Sequence, residues 1–86
     1  MLYRILTENK NRKYIAKIVS DEFEGFTIYK SQGFWRGVSE RSLTIEIYAK
    51  TVGIEDRVKS VCRLIKEYNK QECVLVQKLE VEAEFI

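Results

Sequence analysis

The strongest constraint on the fold is a short run with a two-residue period. In "SLTIEIYA", Leu43, Ile45 and Ile47 alternate with Thr44, Glu46 and Tyr48. Side chains on an extended chain point to opposite faces in turn, so this pattern predicts a strand with one packed face and one polar or covered face. On either side of it the period changes to that of a helix. Tyr14, Ile15, Ile18, Val19 and Phe23 recur at helical spacing, with Lys13, Lys17 and Asp21 opposite. Ile54, Val58, Val61, Cys62, Ile65 and Tyr68 form a second apolar stripe. Asn9 or Asn11 is placed to cap the first helix and Gly25 to end it, while Gly53 opens the second and Asn69 stops it.

Three further segments read as strands. "LYRILT" (2–7) and "FTIYKSQ" (26–32) are dense in β-branched and aromatic residues. The last, "CVLVQKLEVEAEFI" (73–86), is apolar on both faces from Cys73 to Val76. It then alternates Leu79, Val81, Ala83 and Phe85 against Lys78, Glu80, Glu82 and Glu84. The resulting order, β-α-β-β-α-β, is the ferredoxin-like pattern of an α+β protein. It predicts a four-stranded antiparallel sheet with both helices on one face. Eighty-six residues provide for a single domain, 1–86.

Charge and composition narrow the partners. Fifteen basic and 13 acidic residues nearly balance, so no global field draws the chain to nucleic acid or to a membrane surface. The third strand carries Glu46 where RNA-recognition motifs display aromatic residues, and nucleic acid is not expected as a partner. No apolar run approaches the roughly 20 residues of a membrane span, and "MLYRILTENK" has no signal-peptide core. A cytoplasmic location is the expectation. Histidine is absent, no phosphate loop or metal motif appears, and Cys62 and Cys73 are not in redox or zinc spacing. These features weigh against an enzyme, and no metal or cofactor is expected.

The connection "QGFWRG" holds the sole tryptophan. Trp35 offers a ring for stacking, Arg36 a fork for phosphate or carboxylate, and Gln32 and Glu40 supply hydrogen-bonding selectivity. In a purely structural reading, Trp35 closes the end of the core, the glycines serve a bulged hairpin, and Arg36 pairs with Glu40. Gln71 and Glu72, where the second helix hands over to the last strand, form a second candidate facing a cleft between subunits. These six residues outline a site for a small anionic, nucleotide-like ligand. The sheet face away from the helices combines Tyr29, Glu46, Tyr48, Val74 and Val76. Such a surface suits burial in a homo-oligomer, a dimer or a trimer, and the alternative is a protein-interaction module docking through that face or the tryptophan hairpin.

The run "FEGFTIYKSQGFWRG", followed by "ERSLTIEI" and a helix ending in "NKQECVLV", resembles a group of short bacterial and phage proteins. They share a G-(F/L)-T-(I/V) strand, a G-x-W-(K/R)-G turn and a Gln-Glu before an apolar final strand. The resemblance spans roughly residues 23–76 and implies the same element order. Its phage members imply a sequestering or regulatory protein. More loosely, the chain is similar to PII-like and copper-tolerance (CutA-like) proteins, which implies a trimer with ligands between subunits.

Overall fold

A computed structural model describes residues 1–50 and 53–86. The elements follow the expected order: β1 (Leu2–Glu8), α1 (Arg12–Glu22), β2 (Thr27–Trp35), β3 (Val38–Tyr48), α2 (Glu55–Asn69) and β4 (Leu75–Leu79). The sheet runs β2-β3-β1-β4, every neighbouring pair antiparallel. This is the ferredoxin-like α+β arrangement.

The core lies between the helices and one face of the sheet. Alternation places Tyr3 and Ile5 of β1 and Leu43, Ile45 and Ile47 of β3 on that face, opposite Ile15, Ile18 and Val19 of α1 and Val58, Val61 and Ile65 of α2. Nine of these side chains are fully enclosed. At about 1.5–3 kcal/mol each for aliphatic burial, they outweigh the surface ion pairs many times over.

The helix ends depart from the sequence reading. Asn11 precedes α1 in the left-handed conformation (φ 56°) without capping it, because its side chain is engaged with Asn69. Helix α1 ends at Phe23, whose extended backbone donates its N–H to the Val19 carbonyl, so Gly25 is not the stop. Helix α2 ends on Lys70 (φ 56°), and its N–H reaches the Glu67 carbonyl. The left-handed turn expected of a glycine is thus made by Lys70, one residue beyond Asn69. On the outer face of α2, Glu55 and Lys59, and Arg63 and Glu67, stand four apart, but neither pair closes among the described residues. Glu55 instead meets Lys78 of β4 at 3.6 Å.

The last strand is shorter than its pattern. Leu79 pairs with Leu2, where β1 begins, and beyond it the sheet has no strand for β4 to follow. Its opening is not doubly buried either, since Cys73 is exposed and Leu75 is 55% exposed. As an edge strand, β4 has one flank unpaired and only its inward residues covered.

Candidate functional site

The tryptophan connection is not a loop. Strands β2 and β3 stay in one unbroken register from Thr27↔Glu46 to Trp35↔Val38, so no bulge is present. The turn is just Arg36 (φ 52°) and Gly37 (φ 79°). Positive φ at both central residues is the signature of a type I′ turn, whose twist matches that of the flanking strands. The structural reading of the sequence had the glycines serve a bulged hairpin, but Gly33 lies inside the unbroken strand opposite Glu40. There a side chain would crowd its neighbours, an added Cβ lying 3.0 Å from Ser42 Oγ and 3.5 Å from Glu40 Cγ.

β1 ends at Glu8, opposite Ser42, and the Asn9 N–H ties the Arg41 carbonyl at 3.1 Å; beyond this the hairpin continues as a two-stranded arm. Four residues at about 3.4 Å each carry it roughly 14 Å past the sheet. Its tip is apolar: Phe34, Trp35 and Val38 are each 68% exposed. Trp35 therefore does not close the core. Its ring carries the Arg36 guanidinium at 5.7 Å from the centroid, and Arg36 forms no ion pair with Glu40 among the described residues. The alternation of the strands puts Trp35 and Glu40 on the face away from the helices, and Gln32 on the other, where it donates to Ser39 Oγ at 2.7 Å. The four expected hairpin residues are near in sequence but divided between two faces.

Gln71 belongs to a different structure, a polar knot where the end of β1 meets both helices. Its Oε1 accepts from Thr7 Oγ1 (2.5 Å) and from Asn69 Nδ2 (2.8 Å), and its Nε2 donates to the Cys73 carbonyl (3.2 Å). Asn69 Oδ1 in turn accepts from Asn11 Nδ2 at 3.0 Å. Thr7 and Asn69 are both buried, so the network supplies polar partners that water cannot. Gln71 is thus committed to holding the α2–β4 junction, while the adjacent Glu72 stands exposed. The sequence reading missed Thr7 and the pairing of the two asparagines. The available signal was a polar residue at an inward position of β1, after Tyr3 and Ile5.

The outer sheet face holds three of the five residues expected there. Tyr29, Glu46 and Tyr48 share it, and Glu46 pairs with Arg4 at 3.0 Å. Val74 and Val76 do not, for they pack against the core on the helix side. The pleat gives the outer positions of β4 to Leu75 and Leu79, beside Leu6 and Leu2 of β1. Thr44 is buried at the centre of this face, its Oγ1 2.8 Å from Ser31 Oγ.

On the helix side a groove of about 230 Å³ runs between α2 and β4, lined by Tyr3, Glu55, Val58, Lys59, Val76 and Lys78. Cys62 is buried beneath α2, and loss of solvation pushes its thiol up to about 11. Among the described residues, no group of three or more histidine, cysteine or acidic side chains converges to hold a metal ion. No described helix is long and apolar enough to cross a membrane.

No protein-family model and no characterised relative matches the sequence. Among solved structures, the chain is similar to a phage S-adenosylmethionine (SAM) lyase in its apo state. The likeness has a TM-score of 0.66 at 18% identity and covers 99% of this chain and 90% of the lyase. At that identity the likeness concerns the fold: both chains carry the same α+β architecture almost from end to end.

Proposed function

We propose that this chain binds S-adenosylmethionine and cleaves it as a lyase. The observation that carries the reading is the likeness to the phage SAM lyase, which extends over nearly the whole of both chains. The chain's own residues suit such a ligand. Trp35 offers an exposed ring for the adenine, and Arg36 beside it a partner for the carboxylate. The exposed carboxylates Glu40 and Glu72 attract the ammonium and sulfonium charges.

The chemistry also fits a chain without histidine. When an oxygen of the ligand's own carboxylate attacks the γ-carbon, a C–O bond closes a lactone as the sulfonium C–S bond breaks, the electron pair of that bond stays on sulfur, and a neutral thioether departs. No general acid is needed for that leaving group and no base for the nucleophile, so holding the ligand's carboxylate in line with the C–S bond carries the catalysis, while the protein carboxylates serve binding. The ligand is thereby a zwitterion with an added cation, rather than the purely anionic molecule suggested by Arg36 alone. Trp35 of one copy and Glu72 of another meet it at a boundary between subunits.

Isothermal calorimetry with SAM, its neutral thioether analogue S-adenosylhomocysteine and ATP, with chromatography of the mixtures, tests the reading. The expected result is binding of SAM followed by release of a thioether product, weakened by Trp35→Ala and by Glu72→Gln. Binding of SAM without turnover would reduce the function to sequestration. Preference for ATP would restore the anionic ligand, and no binding of any of the three would refute the proposal. A second reading, protein docking through the arm, is favoured by the exposed Phe34, Trp35 and Val38.

A further inference from the structure

Two loose ends remain in the fold, and each fits the other. The first is residues 80–86, which continue the alternation of a strand but have none to pair with, because β1 starts at Leu2. All seven are exposed; Phe85, at 79%, lies near Tyr48 (ring centroids 6.4 Å) and the Lys50 ammonium (5.1 Å) at the end of β3, surface contacts that pairing elsewhere would exchange. The second is the outer edge of β2, nine residues long at the far side of the sheet, with no proline and no bulge to blunt it. Long, flat, unprotected edges are templates for another strand. Within one chain, β3 and β1 separate this edge from the tail.

We infer that residues 80–86 of one copy pair as an antiparallel strand with the free edge of β2 in a second copy, joining the chains head to tail into a cyclic homo-oligomer. Strand direction supports this. Directions alternate across β2-β3-β1-β4, so β4 of one copy beside β2 of the next continues the antiparallel sheet with like faces on the same side.

Both faces of the new pair are chemically matched. Extending the pleat of β4 puts Glu80, Glu82 and Glu84 on the helix side, where β2 presents Lys30 and Gln32. Val81, Ala83 and Phe85 come to the outer face, where β2 presents Tyr29, Ser31, Gly33 and Trp35. Opposite charges and aromatic–apolar pairs across strands are the contacts that stabilise a sheet. A slip by one residue would turn every glutamate onto the aromatic face, so the parity of the pairing is fixed. The alternative of β2 against its own copy satisfies the edge but leaves the tail without a partner. A partner strand beside Trp35 also covers part of the exposed arm. The inference does not rest on the ligand proposed above, although it sets a partner strand beside the same Trp35, and its test contains no ligand.

Native mass spectrometry on the full chain and on a chain ended after Leu79 gives the first readout. The full chain is expected as a closed oligomer and the shortened one as a monomer with unchanged far-UV circular dichroism. Should the shortened chain fail to fold, reversing Glu80, Glu82 and Glu84 to lysine should abolish assembly, and adding Lys30→Glu should recover part of it. With Cys73→Ser as background, Lys30→Cys should crosslink between subunits to Glu80→Cys, Glu82→Cys or Glu84→Cys, but not to Val81→Cys or Ala83→Cys. A monomeric full chain, an oligomer indifferent to the tail, or ready self-crosslinking of Ser31→Cys across a β2–β2 dimer would each overturn the inference.

Discussion

Replacing Asn69 with alanine tests whether the polar knot holds the α2–β4 junction. The substitution removes the bond donated to Gln71 Oε1 at 2.8 Å and the bond accepted from Asn11 Nδ2 at 3.0 Å. Each is worth about 0.5–1.5 kcal/mol net, and the site is only 4% exposed, so water restores little of either. The expected loss is about 2 kcal/mol. For a domain of this size that lowers the Tm by roughly 8–16 °C. Gln71→Ala should cost a similar amount, because it strands the buried Thr7 hydroxyl as well. The two changes share a bond, so the double variant should fall short of additivity by about 1 kcal/mol. Urea titrations followed by circular dichroism, with the m-value held in common, measure all three. Glu72→Ala serves as a surface control, expected within about 0.5 kcal/mol of the parent. If both single variants lie within that control and add without coupling, the network is not what holds the junction, and Gln71 is released as a ligand contact.

Four further outcomes follow from the geometry. Trp35→Ala should leave urea stability within about 0.5 kcal/mol, since the ring is mostly exposed, whereas Ile45→Ala should cost about 2–5 kcal/mol by opening a void in the enclosed core. Gly37→Ala places a side chain at φ 79° and should destabilise by about 1–2 kcal/mol, measured by the same titration. The Cys62 thiol, raised from 9.0 to about 11 by burial, keeps its proton in the folded chain while the unfolded chain loses it. Stability should therefore be unaffected below pH 9 and fall as pH rises from 9 towards 11. A Cys62→Ala variant, compared by thermal melts across that range, should show a shallower fall. A thiol reagent at pH 8 should meanwhile modify the exposed Cys73 well before Cys62.

The element order was legible because both periods are strong in this chain. Leu43, Ile45 and Ile47 could only be a strand, and the stripes of α1 and α2 could only be helices. What escaped was set by partners rather than by local pattern. The end of β4 is fixed by where β1 begins, and no property of Glu80–Ile86 itself announces it. Val74 and Val76 went to the wrong face because an apolar run carries no parity; the register against Leu6 and Ile5 assigns it. Glycines misled twice. Gly25 lies beyond a helix that an extended phenylalanine had already ended, and Gly33 sits in a strand where the cross-strand space admits little else. Of the candidate site, the residue types were readable but their grouping was not. Gln32 and Trp35 are three apart, so on a strand they face opposite ways.

The central position of β1 has a consequence for how the chain is made. Its seven residues emerge before the five elements that follow, yet they pair with Ser42–Tyr48 on one side and with Leu75–Leu79 on the other. The β2–β3 hairpin closes through a two-residue turn and can zip as soon as it leaves the ribosome. β1 joins it with a loop of some forty residues to close, and its other flank waits for Leu75–Leu79. Throughout that interval the nascent protein carries an open, Leu- and Ile-rich strand at the edge of a three-stranded sheet. Slowing translation between Asn69 and Leu75 would prolong this state, and the yield of folded protein should drop accordingly.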